Sequence, residues 1–407
     1  MIKFQQSPIP TYMTAEIENM RIHFYGVQGS GSVFPAKAER EAARLHSDLK
    51  LLEQIGAHLE SFQGSDGKLS CSVDELIGGP LDRKTLFNFR SRFDTSEQRV
   101  YGGWTTCFRL ETSDGYDIVI DCGSGFRICA EDIMNKWGDS PERHLHIFGS
   151  HAHFDHTEGF DQAAVCFDPR NNIHIYANHQ YLKALDHNLG IFSHDADMAL
   201  AGIQTPLNYE LMPAKFDSTE IRDLVASPIP PSGDPMVGRF HDLHKPIVLG
   251  KTIIQPFKVF HPDPCLGYRI EHNGKVFVYC TDHEMRRGKN VDHRLQIASM
   301  EAENELIQHS MNCDVLYRDG QFLRVEYDGD KGIGTPLGVS RKDWGHSCIE
   351  DVIEMAQKCN VKQTYIGHHD PNRRWEELNS IDESLCQRSL QAGLKFEMAK
   401  AETVIDL

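Results

Sequence analysis

Gly149-Ser150-His151-Ala152-His153-Phe154-Asp155-His156 follows directly on the run His144-Leu145-His146-Ile147-Phe148. The run reads as a buried strand that delivers the eight residues to its carboxyl end. Two imidazoles at i and i+2 of extended chain point the same way. The Asp and His that follow, as the chain turns into a helix, reach a second point close by. Neutral imidazole and carboxylate are the donor set of zinc, and of manganese or iron where oxygen donors are richer. Such a loop can hold two metal ions, but it cannot complete two coordination shells, so other strand ends must contribute.

Three apolar runs end on suitable residues. His261 follows the strand expected at 253–260, Asp282 follows Lys275 to Cys280, and His368 and His369 follow Gln363 to Gly367. All sit where α/β folds gather their sites, at the carboxyl ends of strands. Further strands are expected at Arg21 to Val27, 173–177 and 266–270, and Tyr116 to Gly125 reads as a buried strand running into a glycine turn. His272-Asn273-Gly274 between two such runs predicts a hairpin. Helical spacing marks Ser347 to Lys358 and Ala36 to Phe62. In the latter, Leu45, Leu49, Leu52, Ile55 and Leu59 line one face and predict a packing helix. Pro206 to Lys245 reads as a long loop excursion. Alternating strands and helices predict a layered α/β fold.

Composition narrows the function. The chain has 407 residues, and 42 Lys+Arg against 59 Asp+Glu give a net charge of −17. That balance argues against holding a long nucleic acid by its backbone. The 11 cysteines include no CxxC pair, which fits reduced thiols in a cytoplasm. There is no apolar run long enough to cross a bilayer and no signal-peptide core, so no membrane partner is expected. Without repeats or low-complexity tracts, a single domain over 1–407 is the economical reading. The chain lacks HExxH, GxSxG and a cysteine nucleophile with a paired base, and Gly29-Ser30-Gly31-Ser32 lacks the GK[ST] of a phosphate loop.

The order HAHFDH (151–156), HPDPCLGYRI (261–270), YCTDHE (279–284) and IGHHDP (366–371) resembles the metallo-β-lactamase superfamily. Within it, the chain is similar to the phosphodiesterase branch that includes tRNase Z, the phosphoribosyl cyclic phosphate phosphodiesterase and cyclic-nucleotide phosphodiesterases. RIHFYGVQGSGSVFP (21–35), YGGWTTCFRL (101–110), IVIDCGSGFR (118–127) and DWGHSCIED (343–351) agree with that branch. The resemblance implies an αββα sandwich, here with a mainly helical insertion at about 36–100 and a loop-rich excursion at about 180–245. It assigns His151, His153 and His261 to one metal and Asp155, His156 and His368 to the other, with Asp282 bridging and His369 as the alternative last ligand. Two divalent ions are implied, zinc first, with manganese or iron as alternatives.

The chemistry implied is hydrolysis of a small phosphodiester, a cyclic nucleotide or cyclic sugar phosphate, by a metal-activated hydroxide. His346 is implied as general acid or phosphate contact, its other reading being a helix-start residue beside a capping Ser347. Asp155 is a second proton carrier, and Asp121 is expected to orient a ligand histidine. Gly149 and Gly159 are expected to let the ligand loop turn tightly. A tRNase Z-like endoribonuclease would use the same site but needs a basic arm, and the insertion is mixed in charge. A lactone or ester hydrolase and a non-catalytic metal-binding sensor complete the alternatives. The apolar helix face and the branch's habit suggest a homodimer. Two departures stand out: Arg318-Asp319 where the branch carries His-Asp, and Trp104 where it carries Asn. Arg318 is expected to be a surface or salt-bridged arginine, or else to face a phosphate.

Overall fold

A computed structural model describes residues 17–33, 37–90, 101–190, 209, 212–227, 239–288 and 291–407. Parts of the expected insertion (34–36 and 91–100) and of the expected loop excursion (191–208, 210–211 and 228–238) lie outside the described residues; the described parts of that excursion are corrected, since His179–Gly190 is a helix and Lys215–Arg222 and Arg239–Asp242 are strands of the first sheet.

Strands with one apolar face make the first sheet. β1 (Met20–Gly26) buries every second residue, and it pairs with β2 (Cys107–Thr112). After β2 come β3 (Asp117–Ile120), α4 (Phe126–Trp137), β4 (His144–Phe148), β5 (Asn172–Ala177), α5 (His179–Gly190), β6 (Lys215–Arg222) and β7 (Arg239–Asp242). Among the described residues three helices stand between β1 and β2: α1 (Lys37–Glu60), α2 (Val73–Ile77) and α3 (Arg83–Arg90). The second half of the chain runs β8 (Ile247–Leu249), β9 (Thr252–Val259), β10 (Cys265–His272), β11 (Lys275–Cys280), α6 (His293–Ser310) and β12 (Val315–Asp319). It ends with α7 (Arg324–Tyr327), α8 (Ile349–Lys358), β13 (Gln363–Gly367), α9 (Trp375–Ala392), β14 (Lys395–Met398) and β15 (Val404–Asp406). The sheets order as β15-β1-β2-β3-β4-β5-β6-β7 and β14-β13-β12-β11-β10-β9-β8. The expected hairpin joins β10 to β11, with Asn273 and Gly274 both at positive φ (49° and 77°), as a tight two-residue turn requires.

The sheets face each other across an aromatic core. Phe24, Phe108, Tyr279 and Tyr317 pack there, Tyr279 stacked on Tyr317 and the other touching pairs edge-on or tilted, with ring centroids 4.3 to 5.8 Å apart. Burying each such ring contributes roughly 1.5–3 kcal/mol. A second apolar cluster joins the outer face of the first sheet to α4 and α5, and a third joins the outer face of the second sheet to α6, α8 and α9. The result is the four-layer αββα sandwich expected from the sequence. Among the described residues no helix is long and apolar enough to cross a membrane.

The packing expectation for the first helix is corrected. Its span was legible, yet Leu45, Leu49 and Leu52 are 64%, 60% and 62% exposed. Ile55 and Leu59, farther along the stripe, are part-buried, so helical spacing identified the stripe but not how far a surface covers it.

Parallel pairing sets the position of the functional edge. β3 and β4 run parallel in the first sheet, and β11, β12 and β13 run parallel in the second. Their carboxyl ends therefore emerge along one edge of the sandwich.

Candidate metal centre

Three residues at that edge leave the ordinary backbone regions. Asp121 after β3, Asp282 after β11 and His368 after β13 have φ of 59°, 52° and 56°. A left-handed non-glycine residue costs on the order of 1 kcal/mol and persists where its surroundings dictate the conformation. Here the kink turns each side chain from the strand direction into the space between the sheets.

The loop after β4 is shaped by close approach. A side chain on Gly149 would lie 2.4 Å from the Tyr181 ring, and one on Gly159 would lie 2.2 Å from the Gly123 carbonyl. These glycines serve proximity rather than a positive φ. Asp155 and His156 fall in a single 3-10 turn, Phe154–His156, which carries them away from the extended His151 and His153.

Two donor groups result. His151, His153, His261 and Asp282 present atoms within 4.8 Å of one another, as do Asp155, His156 and His368. Asp282 joins them: its carboxylate lies 3.7 Å from His151 Nε2, 3.2 Å from His156 Nε2 and 3.1 Å from His368 Nε2. His369, the alternative, instead donates from Nε2 to the Ala399 carbonyl at 2.7 Å and takes no place in either group. His346 Nδ1 sits 3.5 Å from Asp282 Oδ1 and 3.6 Å from Asp319 Oδ2, and it forms a third candidate group with Asp282 and His368.

The far side of each ring is held. Asp121 accepts at 2.8 Å from His156 Nδ1, and its carboxylate is fixed by the Ser150 amide and hydroxyl, both at 2.7 Å, and by the Tyr279 hydroxyl at 2.8 Å. His261 Nδ1 donates to the Gly345 carbonyl at 3.1 Å. His153 Nε2 donates to Asp263 at 2.7 Å, which leaves Nδ1 toward His261 Nε2, 3.4 Å away. Such partners fix tautomer and orientation. Asp263 was missed, although it stands two residues after His261, because nothing in its spacing distinguishes it from a turn aspartate.

The donors fit divalent cations. His151 Nε2, His156 Nε2 and His368 Nε2 are buried without hydrogen-bond partners, although buried polar atoms are normally satisfied. Burial and the neighbouring imidazoles hold His151 well below the usual histidine range, and burial above all lowers His261 to about 4, so both rings are neutral at pH 7. Burial would raise Asp155 and Asp282, but the facing histidines outweigh it and keep both carboxylates ionised. Burial lowers and the carboxylates of Asp155, Asp282 and Asp121 raise His156, with a net rise, so its proton competes with a cation.

The departure at 318 finds a reason, and the capping reading of Ser347 is corrected. Arg318 is buried behind the site and salt-bridged, giving both terminal nitrogens to Glu303 at 3.0 and 2.7 Å. Ser347 does not cap α8, whose N-cap is Cys348; its amide donates to Asp319 at 2.8 Å and its hydroxyl to the His283 carbonyl.

A two-sheet αββα sandwich with histidines and aspartates converging at one edge defines a class of metal-site proteins. The chain belongs to the beta-lactamase superfamily: the sequence model of the beta-lactamase superfamily domain matches residues 116–369. Similar solved structures include a diphosphatase from the PhnP family, at 15% identity and TM-score 0.49, covering 95% of this chain and 98% of that one. They also include human tRNase Z, short form, at 14% and 0.46, covering 95% and 98%. A third is unliganded yeast PDE1, at 13% and 0.44, covering 76% and 97%. No curated protein matches the chain in sequence.

Proposed function

We propose that the protein is a metal-dependent phosphodiesterase, one hydrolase domain over 1–407, acting on a small substrate such as a cyclic nucleotide or cyclic sugar phosphate. One observation carries the reading: three unpartnered buried imidazole nitrogens converge on the carboxylates of Asp155 and Asp282. His151, His153 and His261 would hold one divalent cation and Asp155, His156 and His368 the other, with Asp282 shared. Zinc suits the donors best, manganese and iron next. Cations bound there supply Lewis acidity toward a phosphoryl oxygen and lower the pKa of water.

The chain's own residues do the rest. Asp121, Asp263 and the Gly345 carbonyl hold the rings in register. Burial lowers His346, but the Asp319 contact and the Asp282 charge win and raise it, which favours the protonated ring and suits a donor to the leaving oxygen. Asp155 is the second proton carrier. A net charge of −17 favours a small anion over a tRNA.

The test is product analysis of metal-replete protein on 3′,5′-cyclic mononucleotides, a 1,2-cyclic phosphoribose, a tRNA precursor and a lactone, with His151→Ala as blank. Cleavage of a cyclic phosphodiester, absent in the variant, is expected. Cleavage of the tRNA alone or the lactone alone would replace this reading, and inertness on all four would favour a binding role.

The free state of all eleven cysteines supports a cytoplasmic setting. The exposed Leu45, Leu49 and Leu52 support a homodimer joined through α1. Light scattering should then give twice the chain mass, falling to one chain in Leu49→Glu with turnover retained. A wild-type monomer would discard it.

A further inference from the structure

Among the described residues three phenylalanine or tryptophan side chains are exposed, and two of them stand on loops of the metal centre. Phe154 lies between His153 and Asp155, and Trp344 lies two residues before His346. A lone exposed ring is ordinary on a protein surface. Trp344 differs because the chain on both sides of it is tied down.

Glu284 does the tying. It is fully buried and stands two residues after Asp282. One of its carboxylate oxygens accepts from the Asp343 amide and the other from the Gly345 amide, both at 3.0 Å, and the Tyr327 hydroxyl donates to the first at 2.6 Å. Asp343 and Gly345 have φ of 71° and 87°, so a non-glycine residue keeps a left-handed backbone to make this turn. Arg286 is paired with Asp343 as well. Arg341 lies over the indole, its guanidinium carbon 4.2 Å from the ring centroid, and that contact fixes the plane of the ring. The guanidinium takes one face, yet Trp344 is still 49% exposed. A rigidly held ring with open surface is what a stacking platform needs.

The same turn carries two groups of the centre. The Gly345 carbonyl accepts from His261 Nδ1 at 3.1 Å, and His346 Nδ1 comes within 3.5 Å of Asp282 Oδ1. Two residues of chain span at most about 7 Å, which bounds the backbone distance from Trp344 to His346. In a mononucleotide one sugar separates the phosphoryl group from the base. A phosphoryl group at the donor residues therefore leaves its base within reach of the indole, whereas a substrate without a base leaves the indole unused.

We propose that Trp344 is a specificity-determining residue whose indole stacks on the base of a nucleotide, which makes the substrate a cyclic nucleotide rather than a base-free cyclic sugar phosphate. This rests on the phosphodiesterase reading above. Every base has a π-face, so stacking selects for the presence of a base more than for its identity. The base is remote from the bond that breaks and is stacked in substrate and transition state alike. Loss of the indole should therefore raise KM more than it lowers kcat.

Metal-loaded protein is titrated calorimetrically with adenosine 5′-monophosphate and with ribose 5-phosphate, hydrolysis of 3′,5′-cyclic AMP is followed, and metal per chain is measured throughout. Wild type should bind the nucleotide about 10-fold more tightly than the base-free phosphate. Trp344→Ala should keep its metal and its affinity for ribose 5-phosphate, lose the preference and raise KM about 10-fold, and Trp344→Phe should retain most of the preference. A wild type without the preference, or a Trp344→Ala that keeps it, overturns the proposal. So does loss of metal or equal loss of both ligands in Trp344→Ala, which would make Trp344 a support for the Gly345 carbonyl at His261. A preference that vanishes in Trp344→Ala, with no cyclic nucleotide cleaved by wild type, supports the platform and overturns the phosphodiesterase reading. Cleavage without the preference overturns the platform alone.

Discussion

Asp282→Asn and His151→Ala should each lose bound metal and lower turnover by about 10³-fold or more. Asp282 is 1% exposed and faces the nitrogens of His151, His156 and His368, so its carboxylate stands within reach of both donor groups. Asparagine keeps the shape and removes the charge on which three imidazoles converge. Leaving one charge of a buried set uncompensated typically costs 3–5 kcal/mol. His151 belongs to the first group, and its alanine variant leaves three donors. Metal per chain by emission spectrometry is the direct readout. Chelator should lower the Tm of the wild type and leave either variant unmoved, since a ligand bound only to the native state stabilises it by mass action. A variant that keeps its metal would remove that residue from the donor set. His346→Ala gives the contrast: retained metal with turnover down about 10²- to 10⁴-fold marks a proton donor. Metal loss there would move His346 into the donor set, which its 3.5 Å approach to Asp282 allows.

These residues could be nominated from sequence because apolar runs and chemistry-bearing residues alternate so regularly. β4, β11 and β13 each end on the residue expected, and Asp282 and His368 were legible as ionisable residues just past a buried strand, His368 directly after β13 and Asp282 one residue beyond Thr281. Their left-handed backbones were not legible, because such a conformation is held by contacts between segments far apart in the chain. Tyr317, for instance, receives the His368 amide on its hydroxyl at 3.0 Å from 51 residues away. Second partners were hidden for the same reason. Asp263, the Gly345 carbonyl and Tyr279 are ordinary residues until the fold places them beside an imidazole or Asp121. The leucine stripe of α1 shows the opposite limit, since its spacing fixes a helix and says nothing of what covers it.

Arg318→Met should destabilise the protein by about 3–5 kcal/mol at pH 7, and Arg318→Met with Glu303→Leu should recover most of that loss. Arg318 is fully buried and bidentate to Glu303, whose carboxylate also accepts from His283 Nε2 at 2.8 Å. Burial raises Glu303, but Arg318 and His283 outweigh it and hold the carboxyl far below its usual range. A depressed carboxyl contributes stability above its unfolded pKa and loses it as pH falls. In Arg318→Met that contribution is gone, so the deficit against wild type should shrink between pH 7 and pH 4, as Glu303 of the variant takes a proton. Urea unfolding at the two pH values measures this, and a single variant within about 1 kcal/mol of wild type at pH 7 would show the pair to be dispensable. The same pair anchors the site. The Phe260 amide donates to His283 Nδ1 at 2.9 Å, Arg318 Nη2 donates to the Ser347 hydroxyl at 3.2 Å, and the His283 amide donates to Asp319 at 3.3 Å. His261, Asp282 and His346 are the sequence neighbours of those three anchored residues, Phe260, His283 and Ser347. Loosening the pair should therefore weaken metal binding and turnover together, in proportion to lost stability, and the double variant should restore them only as far as His283 regains a fixed ring.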